Sequence, residues 1–348
     1  MFKRIVSCAL ICSLIVLSLC SCSKQKERFT ETYLDYFDTA SIIVGFEYDE
    51  DAFKENCEFV RKQLEEYNKL YDIYKSYDGV NNIRTINENA GKQPIKVDAK
   101  IIDLLEYCKS IYGITGGMVN VAMGSVLSIW HNYREIGMNN PDAAQVPSMD
   151  ELKTASAYTD IDKVIIDKEN STVYLEEPEM SLDVGAIAKG YATEQIARSL
   201  KDKGVTAYTL NFGGNIRTIG NKGDDTPWTA AVTDPDPNSE TGSVMKVKLT
   251  DQVFVTSGSY QRFYTVDGVR YHHIVDPKSL MPLNTFTSVS VVCQDSGLAD
   301  ALSTALFNIS LEDGKSLINH LTDVEAMWIT ADNEIFYTDG FKNIIVEE

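Results

Sequence analysis

Between residues 29 and 74 the apolar residues change period once, and that switch does most to limit the folds open to this chain. Ile42, Val44 and Phe46 recur at the period of a half-buried strand, and residues 29–46 read as a strand pair. Phe53, Cys57, Val60, Leu64, Tyr67, Tyr71 and Tyr74 then recur at helical spacing and predict one amphipathic helix over 50–74. After a polar segment at 76–91, Asp98 predicts the cap of a second helix, with Ile101, Leu104, Leu105, Cys108 and Tyr112 turned inward. The two periods keep mixing downstream. Ser148 caps a short helix, and 164–167 with 172–175 suggest a hairpin around Glu169-Asn170. Residues 182–185 read as a strand leading into a helix over 188–201, and 205–212 as a further strand. Strands are expected at 244–249, 253–256, 261–266, 269–275 and 287–293, with Asp267-Gly268 as a hairpin turn. Helices at 298–308 and 311–321 precede a hairpin through Trp328 and residues 335–337, whereas 131–147 and 221–243 read as loops. There is no strict βαβ period and no repeat of solenoid length, so the expected class is α+β. With 348 residues the chain can bury a sizeable core, as one large domain or two closely joined ones.

The N-terminus is laid out differently. Lys3 and Arg4 precede an uncharged run over residues 5–19, which is short for a membrane span and has the arrangement of a secretory signal. It ends in Leu19-Cys20-Ser21-Cys22-Ser23, which resembles a bacterial lipobox. Cys22 is the better acceptor because the small Ser21 precedes it; Cys20 follows the bulky Leu19. The expected division is a signal peptide at 1–21, a polar tether at 22–28 and one folded body at 29–348. Acyl chains on Cys22 would hold that body at a membrane surface. Removing 1–21 takes away Lys3 and Arg4 and no acid, so the formal charge moves from −19 to −21. A body this acidic is repelled by nucleic acid and by anionic lipid heads. A polyanionic substrate would therefore need a local device, either a metal ion or a cradle of backbone N–H groups. Outside the signal region stand only Cys57, Cys108 and Cys293, an odd number without metal-site spacing, and they read as buried structural thiols.

Five segments carry groups suited to chemistry. Leu182-Asp183-Val184-Gly185-Ala186-Ile187-Ala188-Lys189-Gly190-Tyr191 runs through a glycine turn into a helix, with an acid and a lysine flanking the turn; helix N-termini present N–H groups that suit phosphate. An ordinary strand–helix turn would read the same way. Asn211-Phe212-Gly213-Gly214-Asn215 could form an anion-binding nest, although strand ends often carry glycine. Thr256-Ser257-Gly258-Ser259-Tyr260-Gln261-Arg262-Phe263 gathers hydroxyls and an arginine around a glycine. In His272-His273-Ile274-Val275-Asp276-Pro277 the adjacent histidines of a strand point to opposite faces, so one site can use only one of them. Asp300 and Thr304, in Ala299-Asp300-Ala301-Leu302-Ser303-Thr304-Ala305, are i,i+4 on a helix and offer hard oxygens suited to Mg²⁺; taken alone they also fit a helix-start acid and a hydroxyl bonding back into its own helix. The glycine-rich apolar stretch at 113–130 is a further place where a ligand could approach the backbone.

In this order the five segments resemble the ApbE-type family of FAD:protein FMN transferases, and the resemblance runs from about Phe37-Asp38-Thr39 to the terminal hairpin. It implies an α+β fold with FAD in a cleft between two closely joined subdomains. It implies Mg²⁺ held by the Ala186 carbonyl and the side chains of Asp300 and Thr304, and flavin contacts at Tyr74, Gly117, Met118, Val119, Asp183, Lys189 and His273. Asn120-Val121-Ala122 stands where the family often has Asp-Pro-Thr, and Asp38-Thr39-Ala40 where a Met-Gly is frequent. The implied reaction is attack by a Thr or Ser hydroxyl of a target flavoprotein on the FMN-side phosphorus of FAD, with loss of AMP. His273 is the candidate general base, and Asp183 the alternative base or orienting group. The implied place is outside the cytoplasm, lipid-anchored. The same site could instead hydrolyse FAD to FMN and AMP, or the protein could carry FAD without turnover.

Overall fold

The computed structural model describes residues 25–37, 39–236 and 238–347. The signal region, Cys22 and Asp38 lie outside the described residues. In chain order, β1 (Glu27–Tyr36) and β2 (Thr39–Glu47) lead to α1 (Glu50–Tyr71), α2 (Ile83–Glu88), β3 (Ile95–Lys96), α3 (Ala99–Ile114), α4 (Gly124–Asn139) and α5 (Met149–Ser156). Then come β4 (Val164–Asp167), β5 (Thr172–Leu175), α6 (Ala188–Asp202), β6 (Tyr208–Phe212), β7 (Asn215–Ile219), β8 (Trp228–Thr233) and β9 (Ser243–Leu249). They are followed by β10 (Val253–Gly258), β11 (Phe263–Val266), β12 (Val269–His272), β13 (Phe286–Cys293), α7 (Ser296–Phe307), α8 (Leu311–Asn319), β14 (Glu325–Thr330) and β15 (Ile335–Tyr337).

Among the described residues, eight strands make one antiparallel sheet in the order β1-β2-β6-β7-β10-β13-β14-β15. Its central strand β13 is apolar or small on both faces because both are covered. Val289, Val291 and Cys293 pack against Ala299, Leu302 and Leu306 of α7. Val292 turns to the other face, where Trp228, Val232 and Val247 of the β8–β9 hairpin cover it. At the β2–β6 end, α1 lays Phe53, Val60 and Leu64 into a core shared with Ile43, Tyr208 and Leu210. Each such fully buried aliphatic side chain contributes about 1.5–3 kcal/mol.

A buried ion pair pins the helices that matter for the site. Arg217 of β7 gives its Nε to Glu194 of α6 at 2.9 Å, and both side chains are nearly inaccessible to solvent. The same carboxylate accepts the Ser296 N–H at 3.1 Å, so it also fixes the first turn of α7. Breaking such a pair strands a buried charge and costs about 3–5 kcal/mol. Cys57, Cys108 and Cys293 are buried free thiols, as the sequence predicts.

Several boundaries differ from the sequence reading. The tether is shorter than 22–28, since β1 already begins at Glu27. The helix predicted to Tyr74 stops at Tyr71, because Asp72 Oδ1 captures the N–H groups of Tyr74 and Lys75 in a local turn; Tyr74 is left exposed. The polar stretch at 76–91 contains α2, started by a capping box on Asn82. The expected loop at 131–147 is helical as far as Asn139, and the expected loop at 221–243 contains β8. β7 was not anticipated, since its buried Arg217 hides the apolar alternation. Residues 182–185 are extended without a ladder of their own: Gly124 N–H bonds to Ser181 O and Asp183 N–H to Val121 O, and one carboxamide, that of Asn87, holds both backbone groups of Leu182 at 2.7 and 2.9 Å.

Candidate active site

The entry into α6 departs from regular helix geometry, and one N–H there is diverted to another helix. Ile187 and Ala188 both donate to the Val184 carbonyl, and Tyr191 donates to Ile187 as a helix requires. Between them, the Gly190 N–H, which would ordinarily go to the Ala186 carbonyl four residues back, goes to Asp300 Oδ2 at 2.9 Å. The Ala186 carbonyl is thus left without its helical donor at the place where Asp300 of α7 meets the turn. Only glycine permits this approach: a Cβ at position 190 would lie 2.3 Å from the Ser296 carbonyl oxygen and 2.6 Å from Asp300 Cβ.

Asp300 is buried, and burial pushes its carboxyl pKa up; the Lys189 charge, the Gly190 N–H and the Asn215 amide pull it back down. Lys189 Nζ itself reaches the Gly213 carbonyl at 3.3 Å and Asn215 Oδ1 at 3.2 Å. Asn215 Nδ2 is buried beside this carboxylate without a partner in full hydrogen-bonding geometry. Thr304 follows Asp300 by one turn. The backward bond into the helix is made by its neighbour, Ser303 Oγ to the Asp300 carbonyl, which also anchors Ser257 at 2.7 Å. Among the described residues no three His, Cys, Asp or Glu side chains converge as a metal site. A cation here would rest on one carboxylate and neutral oxygens, a donor set that fits a hard ion keeping waters and phosphate oxygens in its shell. The residues present therefore fit Mg²⁺.

A second group gathers from three other segments. His272 is structural, with Nε2 on the Leu283 carbonyl at 2.8 Å and Nδ1 accepting the Ile274 N–H. His273, just past β12, is held through its N–H by the Arg262 carbonyl, and its Nδ1 is buried without a partner. Burial, then the charges of His272, Arg134 and Arg262, depress its pKa from 6.5 to about 3. Asp183, like His273, feels the charge of Arg134: burial raises its pKa, while the Gly185 N–H, His131 and Arg134 lower it. Both side chains are crowded by protein yet keep some accessible surface.

His131 and Arg134, both on α4, were missed by the sequence reading. Arg134 Nη2 donates to His131 Nδ1 at 2.9 Å, and the His131 ring lies 5.1 Å from that of Tyr74 at 33°. Their i,i+3 spacing beyond Trp130 was the available signal, obscured because the flanking Ile136 and Met138 are exposed and give no apolar stripe. Trp130 Nε1 on the Leu280 carbonyl, and the close seat of the Tyr264 ring on Gly137, dock α4 against the 260–281 region and so bring Arg134 toward His273.

Gly117, Met118 and Asn120 line a cleft of about 450 Å³ together with Met123, Pro277 and Lys278. The N–H groups of Gly117, Met118 and Val119 are taken by Tyr112 O, Thr115 O and Thr115 Oγ1, so a ligand would meet their carbonyls and surface. The Gly213-Gly214 pair does not make the expected nest. Its N–H groups go to Ala40 O and Asn211 Oδ1, and the Gly185 N–H is held by Asp183.

The depressed pKa of His273 has a consequence for stability. Between pH 6.5 and about 3 the unfolded chain binds this proton and the native chain does not. Its contribution is intact above pH 6.5 and is lost progressively as pH falls toward about 3. In urea titrations across this range, His273→Gln should show a shallower loss of stability than the wild type; parallel slopes would contradict the assignment.

The sequence profile of the ApbE family matches residues 38–328. The FAD:protein FMN transferase of Treponema pallidum is 34% identical over 272 residues, covering 74% of this chain and 73% of its own. That of Klebsiella pneumoniae is 30% identical over 275 residues, covering 77% and 83%. The crystal structure of the ApbE protein of Thermotoga maritima superposes with a TM-score of 0.78 at 25% identity, over 93% of this chain and all of that one. The flavin transferase ApbE of Vibrio cholerae gives 0.75 at 25% identity, over 92% and 99%.

Proposed function

This chain belongs to the ApbE family, and from that premise we infer that it is an FAD:protein FMN transferase, an enzyme that moves FMN from FAD onto a target flavoprotein. We further propose that the link is a phosphoester to a Thr or Ser hydroxyl, that AMP leaves, and that the reaction depends on Mg²⁺. The observation that carries the metal reading is the diverted Gly190 N–H, which leaves the Ala186 carbonyl open beside Asp300, one turn from Thr304. Mg²⁺ bound there would supply charge neutralisation at the phosphate oxygens.

The remaining roles fall to residues of the chain. The acceptor oxygen forms a bond to the FMN-side phosphorus while the bond between that phosphorus and the bridging oxygen breaks, and AMP carries that oxygen away. His273 is the group we assign to receive the hydroxyl proton. With a pKa of about 3 it is neutral, and its buried Nδ1 has no competing partner. A bound diphosphate beside Arg134 and Arg262 would offset the charges that depress it and raise its basicity. Asp183 is the group we assign to orient the incoming hydroxyl, or to act as the base in place of His273. Tyr74 and the 117–119 loop are the proposed flavin contacts, and Lys189 braces the wall formed by Gly213 and Asn215.

We also propose that Cys22 carries the lipid and holds the enzyme on the outer face of the cytoplasmic membrane. Among the described residues no helix is long and apolar enough to cross a membrane. Chromatography of the nucleotide products separates the readings of the site. Transfer predicts AMP release with FAD and Mg²⁺ only when an acceptor protein is present. AMP at the same rate without acceptor would mean hydrolysis, and no AMP in either case would mean a carrier.

A further inference from the structure

We propose that Asn215 is a positioning residue for Asp300: its side-chain amide, fixed by Lys189, holds the carboxylate in place for the cation. The proposal rests on the Mg²⁺ reading above. Its place follows from the sheet. Asn215 of β7 stands opposite Val255 of β10, and directly opposed residues of an antiparallel ladder point to the same face. Val255 shares an apolar cluster with Ala299 and Leu302 of α7, and Ser257, two residues on, bonds through its Oγ to Ser303 of that helix. Arg217, two residues along β7 from Asn215, reaches Glu194 of α6, whose carboxylate also takes the Ser296 N–H of α7. The Asn215 side chain is therefore enclosed where the sheet meets α6 and α7, and it is fully buried.

Chemistry fixes which way the amide points. An ammonium can only donate, and Lys189 Nζ lies 3.2 Å from Asn215 Oδ1, so the oxygen faces the lysine and the N–H₂ faces away. That oxygen is thereby taken and does not serve as a cation ligand. Nδ2 is buried and makes no hydrogen bond of regular geometry, which is unfavourable unless an acceptor lies in reach. The Asp300 carboxylate is that acceptor. It takes the N–H of Gly190, the residue after Lys189, at 2.9 Å, and the Asn215 amide is its other donor. One donor comes from α6 and one from β7. A carboxylate held from two elements loses little further freedom when a cation arrives, so its partners set its affinity for metal.

The test combines two measurements on wild type, Asn215→Leu, Asp300→Asn and the double variant. In urea with EDTA and no flavin, Asn215→Leu should lower the midpoint about twice as much beside Asp300 as beside Asp300→Asn, because a hydrogen bond to a charged acceptor is roughly twice as strong as one to a neutral acceptor. In calorimetric titrations of Mg²⁺ into protein saturated with FAD, with no acceptor protein, Asn215→Leu should raise the half-saturating Mg²⁺ about ten- to a hundredfold. FAD affinity measured in EDTA by flavin fluorescence should change by less than about threefold. Equal losses of Mg²⁺ and of metal-free FAD binding would reduce Asn215 to a prop for Lys189 and overturn the proposal. So would additive urea losses. If Asn215→Leu fails to fold, Asn215→Ala takes its place in both measurements, since its cavity costs the same in either background and cancels. A wild type that takes up no Mg²⁺ while the urea losses stay coupled would sink the metal reading and leave Asn215 holding Asp300. Saturable Mg²⁺ uptake that the Asn215 variants leave unchanged would do the reverse.

Discussion

Asp300→Asn should fold normally and lose roughly 10²–10³-fold in FMN transfer, the scale expected when a main electrostatic support of a developing charge is removed. Asparagine keeps the size of the side chain and an oxygen able to accept the Gly190 N–H, so the seam between α6 and α7 stays closed. What disappears is the negative charge on which a divalent cation would rest. Burial already raises the Asp300 pKa, so removing that charge relieves a desolvation cost, and the variant should be at least as stable as the wild type. Activity assayed against increasing Mg²⁺ separates this from a folding defect. The wild type should rise steeply and saturate, while the variant stays low and nearly flat. A variant with wild-type activity and metal dependence would remove Asp300 from the site.

Gly190→Ala should produce a loss of comparable size by a different route. Alanine favours helix over glycine by about 1 kcal/mol, and on an open face it would stabilise α6. Here the added methyl meets the Ser296 carbonyl oxygen at 2.3 Å and Asp300 Cβ at 2.6 Å. Neither is the end of a flexible side chain, so the two helices must part. Overpacking of this kind costs about 1–3 kcal/mol, which outweighs the propensity gain. Parting the helices also stretches the Gly190–Asp300 bond and returns the Gly190 N–H toward the Ala186 carbonyl. Denaturant midpoints and transfer rates should therefore fall together, in contrast to Asp300→Asn, where only the rate falls. A more stable, fully active Gly190→Ala protein would show that the close seam has no functional consequence.

This contrast also marks what the sequence discloses. Asp300 and Thr304 share a helix face by spacing alone, and the glycine turn ahead of α6 is visible in Leu182–Tyr191. The Asp267-Gly268 hairpin announces itself because both residues take the positive φ that its turn needs. What spacing could not disclose is that Gly190 matters more for its N–H and missing Cβ than Gly185 does for the turn. That depends on α7, more than a hundred residues away in the chain. His131 and Arg134 were hidden for a related reason. α4 continues past Trp130 with a polar face, and its charges acquire meaning only where the 260–281 region docks on it. β8 was recoverable from Trp228, Ala230 and Val232, whose alternation survives inside a Pro- and Asp-rich surround.

Intact-mass spectrometry of a purified acceptor flavoprotein, incubated with this enzyme, FAD and Mg²⁺, bears most directly on the claim that Ala186, Asp300 and Thr304 hold a cation that serves FMN transfer. The expected spectrum shows the acceptor heavier by one phosphoester-linked FMN, with the adduct absent when EDTA is added or Asp300→Asn replaces the wild type. An adduct that forms equally well without divalent cation, or an unmodified acceptor alongside accumulating AMP, would contradict it.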